Sequence, residues 1–343
     1  MSATRRHFVA LSAASLCAAA CSRRQGPGAA PRFADPDRLA RGGRALNARA
    51  RPGVMDIGVM DIDHRRAWYA DDLGHYPLNG LSKLLIAACA LSQVDNRKLR
   101  LNERLRIDRR DLSPPPSRMN RLFARDDRPL EMPLADLIGL SIQEDDNTAA
   151  DVVLERLGGP AAATAWLQAK GLEGVRLDSY NRQRIPDMFG LEEFRPEWSE
   201  ERDFAQALER IPPAMREAAM DRYLADSRDT ATVQGIVGLL DKLAIGQLLS
   251  ADSTRFLLAL MTNRTDASRG LAAGLPPGST LAFAGSSSHT SLGITPVDNQ
   301  AGIATLPGGR RLAMVVFLVG STATSVGRAR LMADAGRLLA SAN

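Results

Sequence analysis

Three short clusters hold the side chains that could carry chemistry. The first is Asn79-Gly80-Leu81-Ser82-Lys83, at the head of an apolar run. A serine that borrows basicity from a lysine must share a helix face with it, and only residues three or four apart do so. Ser82 adjoins Lys83, so the two point about 100° apart and Ser82 is expected to face the core. Three places before Lys83 stands Gly80, which has no side chain. The second cluster is Asp145-Asp146-Asn147, two carboxylates and an amide before a helical run. The third is Ser286-Ser287-Ser288-His289. Its hydroxyls lack a lysine at helical spacing and read as pocket wall and turn, and His289 reads as an exposed turn residue rather than a general base. With four histidines and three cysteines in the chain, no metal constellation is spelled out, and no cofactor is expected.

These clusters need elements to hold them. Residues 35–50 are predicted as a helix, and 53–60 and 66–70 as strands around a turn at Asp61-Ile62-Asp63-His64. Residues 81–91 form an apolar run without alternation, too long for a strand, and are predicted as a buried helix. Cys89 sits within it as a small hydrophobe. Helical pattern resumes at 134–142 and 148–157, stops at Gly158-Gly159-Pro160, and restarts over 161–170. Residues 181–228 are polar and charged, with helical patches near 200–210 and 214–224. Helices at 232–245 and 253–261 precede strands at 280–285, 300–306 and 312–319 and a closing helix at 326–340. Strands from both ends of the chain must meet in one sheet, with an all-helical lobe inserted between them.

At 343 residues, 45% hydrophobic and 24% charged, the composition is that of a globular domain with a sizeable core. The net charge of +5 comes from scattered arginines, without the basic stripe and interleaved aromatics that nucleic acid requires, so no nucleic-acid partner is expected. A monomer is expected. The N-terminus reads as an address. Thr4-Arg5-Arg6-His7-Phe8-Val9 resembles a twin-arginine export signal, and the apolar run after it is too short to span a bilayer. Residues 1–21 are read as this signal. Ala18-Ala19-Ala20 fits a cleavage site, and before Cys21 it also resembles a lipobox, so both release and lipidation of Cys21 stay open. Residues 22–34 read as a tether. The protein is expected to be exported and periplasmic, with Cys21 as its one route to a membrane anchor.

Several runs, in order, resemble the class A serine β-lactamases and related penicillin-recognising hydrolases. Tyr76-Pro77-Leu78-Asn79-Gly80-Leu81-Ser82-Lys83 is similar to the start of their catalytic helix, and Asp145-Asp146-Asn147 to their Ser-Asp-Asn motif. Leu157-Gly158-Gly159-Pro160, Arg228-Asp229-Thr230, Phe283-Ala284-Gly285 and Thr305-Leu306-Pro307-Gly308-Gly309-Arg310 match further runs. The resemblance spans residues 35–343. It implies a β-lactamase/transpeptidase-like α/β (α+β) fold, an antiparallel sheet flanked by helices with an inserted all-α lobe. Residues 35–76 and 228–343 would form the sheet lobe and 77–227 the helical lobe, with a long loop at 181–228.

In that family a serine attacks the substrate carbonyl with help from a lysine three residues on and a carboxylate acting through water, and a backbone oxyanion hole stabilises the intermediate. The resemblance places Gly80 at the nucleophile position, Lys83 at its partner and Asp145 at the proton-relay serine, with Asn147 retained. Asn181 would stand for the deacylating glutamate, unless Glu192, Glu193 or Glu197 reaches back. Phe283 would replace the sheet lysine with an apolar ring, next to Ala284 and Gly285 in the pocket, and the amides of Gly80 and Ser286 would form the oxyanion hole. Asp145 is expected to become the ionic partner of Lys83.

Three readings of function follow. One is a non-hydrolytic envelope protein that binds a cell-wall fragment, peptide or protein in a remodelled cleft. Another is an active hydrolase of β-lactams, esters or amides with a different nucleophile. The third is a drifting paralogue without a ligand. Phe189, Phe194, Trp198 and Phe204 in the long segment are expected either to roof the pocket or to pack on the helical lobe.

Overall fold

The computed structural model describes residues 35–70, 74–125, 128–264 and 270–342. The expected export signal, lipobox cysteine and tether lie outside the described residues. Helix α1 (Pro36–Ala50) leads to strands β1 (Val54–Asp61) and β2 (Arg66–Tyr69). The chain then crosses into the helical lobe through β3 (Tyr76–Pro77) and α2 (Leu81–Asp95), β4 (Arg104–Ile107), α3 (Arg118–Arg125) and β5 (Leu130–Pro133). There follow α4 (Leu134–Gln143), α5 (Asn147–Arg156), α6 (Pro160–Ala169), α7 (Asn181–Phe189), α8 (Glu201–Glu209) and α9 (Pro213–Ala225). It returns by β6 (Thr230–Ala231), α10 (Val233–Ala244) and α11 (Ala251–Thr262) to β7 (Thr280–Ser287), β8 (Thr295–Thr305), β9 (Arg311–Ser321) and α12 (Ser325–Ala340).

The main sheet has the order β2-β1-β9-β8-β7, antiparallel throughout, so β1 from the front of the chain pairs with β9 from its end. Side chains alternate across it with the two-residue period of a strand. Leu312, Met314, Val316 and Leu318 of β9 face the core under α1 and α12, while Ala313, Val315 and Phe317 face the helical lobe. Because both faces are covered, the strands read as continuous apolar runs. α2 is buried from Leu81 through Ser92, which is why its sequence carries no polar face.

In the long segment 181–228 the two expected helical patches are α8 and α9, while α7 is a helix the sequence reading did not include; residues 190–200 connect it to α8. Pro186 lies inside α7, where the missing amide argues against helix, and tertiary packing overrides it. Met188, Phe189, Phe204, Leu208 and Met220 from the three helices, with Ile211 between α8 and α9, form a small core of their own.

Asp146 shows how the helical lobe is pinned. It caps α5 by accepting from the amide of Ala149 (2.9 Å), and it also accepts from the amide of Met119 (2.9 Å) and the hydroxyl of Ser117 (2.8 Å). Its burial pushes the carboxyl pKa up, and these three donors oppose that. Replacing it strands all three donors. Asp146→Ala is expected to lose about 3 kcal/mol in urea unfolding with an unchanged m-value.

Candidate functional site

A cleft of about 540 Å³ opens between the head of α2, the end of β7 and the helices α7 and α8. Gly80 caps α2 with helical backbone angles, so its glycine is not demanded by conformation. It is demanded by space. A Cβ at Gly80 would lie 2.7 Å from the Cβ of Ser286 and 2.8 Å from its amide nitrogen, with the Ser286 hydroxyl closer still. Real Cβ atoms do not approach that closely, so the end of β7 has closed onto α2. The Ser286 hydroxyl fills the volume that a side chain at Gly80 would take. It accepts from Nδ2 of Asn79 (3.2 Å), which also reaches the Ser286 carbonyl (3.3 Å).

Lys83 lies beneath this contact, buried, and donates to the carbonyl of Asp145 (2.8 Å) and to its carboxylate. Burial lowers the Lys83 pKa and outweighs the opposing charge and hydrogen bond of Asp145, and the nearby Arg184 guanidinium lowers it further. Asp145 makes this contact from a left-handed turn between α4 and α5, at φ 56°. Its neighbours in the motif are structural. Asp146 is the cap described above, and Asn147 donates from Nδ2 to the carbonyl of Pro114 (2.9 Å), fixing the Pro-rich turn that forms one cleft wall. Ser82 faces the core as expected, with its hydroxyl on the carbonyl of Asn79 (2.7 Å).

Two sequence expectations change, that for Phe283 and that for the pocket positions beside it. Phe283 does not put its ring in the cleft. It faces the outer core, out of phase with Ala282 and Ala284, and lies under the guanidinium of Arg264 at 4.7 Å. Ala284 is buried in the inner core, Gly285, at φ 138°, has no room for a Cβ beside the carbonyl of Asn299, and neither of them nor Gly80 borders the cleft. Asn181 is committed elsewhere. Its amide and Nδ2 both donate to Asp151 (2.8 and 2.9 Å), and its side-chain oxygen accepts from Arg184.

A second acidic residue borders the cleft besides Asp145, and it was not anticipated. Glu192 and Glu193 border another cavity, whereas Glu201 of α8 borders this one with Arg202. No local signal marks Glu201 among the acids around it. The roof is apolar, formed by Ile185, Met188, Phe189 and Phe204, and its edge meets the β7–β8 turn. There the Phe189 ring meets His289 edge-on at 5.9 Å, and Arg216 donates to the Ser291 hydroxyl (3.2 Å). That partial burial lowers the His289 pKa, and Glu201 opposes the shift. Of the two positions open for the aromatic set, Phe189 and Phe204 take the roof, while Phe194 and Trp198 pack against the core behind it.

Comparison with known proteins accords with this architecture. The model of a β-lactamase enzyme family matches residues 40–342. The chain is 23% identical to the β-lactamase VEB-1 of Pseudomonas aeruginosa over 86% of its own length and 85% of the relative's. It is 24% identical to the extended-spectrum β-lactamase PER-1 of the same organism, over 80% and 78%. Among solved structures, a β-lactamase from Chitinophaga pinensis superposes with a TM-score of 0.70 at 23% identity, covering 88% of this chain and 98% of that one. A reconstructed ancestral class A β-lactamase of Gram-negative bacteria does so at 0.68 and 27%, covering 88% and 98%. The fold is that of the class A β-lactamases. This chain belongs to the class A serine β-lactamase family.

The close approach at Gly80 makes a direct prediction. Gly80→Ser is expected to destabilise the protein by about 1–3 kcal/mol, since the intruding atoms include strand backbone that cannot rotate away. Pairing it with Ser286→Gly should recover only part of the loss, because the amide nitrogen at 2.8 Å remains. Thermal unfolding of both variants measures this, and a wild-type Tm for Gly80→Ser would contradict the contact.

Proposed function

We propose that this chain is an exported β-lactamase-fold binding protein that does not hydrolyse β-lactams. In this reading it holds a cell-wall fragment or peptide in the cleft beneath the helices of residues 181–225. The observation that carries the reading is the contact between Gly80 and Ser286. The family's chemistry needs a hydroxyl three residues before the helix lysine, and here that volume is filled from the opposite wall. Lys83 is tied to Asp145 and Asn181 to Asp151, which leaves the two positions next in importance occupied with structural bonds. An apolar roof over hydroxyls and amides, with Asp145, Glu201 and Arg202 also at the cleft, suits a ligand with both an apolar group and a polar, hydrogen-bonding part.

Export rests on the arginine pair and apolar run at the N-terminus. Among the described residues no helix is long and apolar enough to cross a membrane. Anchoring through Cys21 would appear as lipid mass on the mature N-terminus.

One observation favours a second reading. The Ser286 hydroxyl stands where a serine side chain at position 80 would stand, so it could serve as a displaced nucleophile. Its proton would then have to pass to the Lys83–Asp145 pair as Oγ bonds to the substrate carbonyl carbon. A labelled penicillin and a fluorophosphonate probe separate the two readings. The binding protein is expected to form no covalent adduct with either and to turn over no β-lactam, while a muropeptide raises its Tm. An adduct abolished by Ser286→Ala would replace the first reading with the second.

A further inference from the structure

α1 and α12 cover the face of the main sheet turned away from the helical lobe, and their outer surface is cationic. Leu39, Gly43, Leu46 and Ala50 of α1 are buried, as are Leu331, Met332, Ala335 and Leu339 of α12. The helical period then leaves Arg38, Arg41, Arg44 and Arg49 of α1 exposed, with Arg330 and Arg337 of α12. Against these six guanidinium groups the two helices and their caps present three carboxylates, Asp35, Asp37 and Asp334. Asp334 is shared between Arg49 (2.8 Å) and Arg337 (2.6 Å), and Asp35 stands 4.0 Å from Arg41. Arg38, Arg44 and Arg330 pair with no carboxylate among the described residues. Arg328 of α12 is not part of this surface, because it turns inward onto Asp298 (2.8 Å).

Two further observations point to what the face meets. Val326 is 59% exposed and stands one turn before Arg330 on the same row of α12, so an apolar side chain lies among the cations. The described chain begins at Asp35, the cap of α1, and residues 22–34 before it hold Arg23, Arg24 and Arg32 and no acid. The chemistry is that of a contact with an anionic bilayer: a surplus of cations, an apolar side chain among them, and a basic segment leading back to Cys21.

We propose that the face formed by α1 and α12 docks the protein on an anionic phospholipid membrane, independently of any acyl chain at Cys21. This docking presupposes the export proposed above. The cleft opens on the opposite side of the sheet, so a docked molecule keeps it clear of the bilayer. Within a Debye length of about 8 Å, each arginine held at the surface strengthens binding about fivefold.

The test is co-sedimentation of the unacylated chain from residue 22 with vesicles of phosphatidylcholine alone or with about one third phosphatidylglycerol. Binding is expected to the anionic vesicles only, and to fall as sodium chloride is raised from about 0.05 to 0.5 M. The triple variant Arg38→Gln, Arg44→Gln, Arg330→Gln should weaken it on the order of a hundredfold. The matched triple Arg104→Gln, Arg106→Gln, Arg121→Gln removes the same charge from exposed sites of the helical lobe. It should change binding less than about twofold. Both triples are exposed substitutions and should keep the wild-type Tm, so a loss of binding reads the face and not the fold. Equal binding to uncharged vesicles, undiminished binding by the first triple, or an equal loss from the second would each overturn the docking. Cell fractionation reads export separately: a cytoplasmic protein that still binds the vesicles overturns the export and not the surface.

Discussion

The approach of β7 to the head of α2 is the constraint on which the rest of the site depends. With Ser286 against Gly80, the sheet lobe and the helical lobe touch at the point where the family leaves a reactive side chain. No atom larger than hydrogen fits on that Cα without moving the strand. The contact explains why a glycine with ordinary helical angles stands at this position. It also explains how Asn79 reaches across to both the carbonyl and the hydroxyl of Ser286.

Around that contact, charges have been redistributed rather than merely deleted. Lys83 keeps its place and takes Asp145 as an ionic partner, in a turn whose left-handed backbone aims both the carbonyl and the carboxylate at one ammonium. Asn181 takes Asp151, whose carboxylate also accepts from Ser113 and Arg182, so the junction of α5 and α7 closes on itself. Arg184 then enters the space behind Lys83 without a carboxylate of its own. Lys83 and Asn181 are bonded locally, whereas Nε and Nη1 of Arg184 have no hydrogen-bond partner among the described residues.

The helices of residues 181–225 give the cleft its character. Their small apolar core lets them stand as a roof, and contacts from Phe189 and Arg216 to the β7–β8 turn tie the roof to the far wall. The result is an apolar ceiling over a polar floor, a different arrangement from an open, cationic cleft built to hold a substrate carboxylate.

Much of the frame was legible in the sequence because it rests on local pattern. The unbroken apolar run of α2, the paired strands at both ends of the chain and the stop at Gly158-Gly159-Pro160 each report the environment of their own residues. The absence of a hydroxyl three places before Lys83 was equally plain, as was the inward turn of Ser82. Tertiary structure decided everything that needed two distant segments to meet. Position in the motif suggested a ring in the cleft at Phe283, yet the phase of β7 turned it to the other face of the sheet. Ser286 lies over two hundred residues from Gly80, and nothing local to either reveals that one fills the other's space. Periodicity tells each residue which way to face, but only the packed chain settles what it faces.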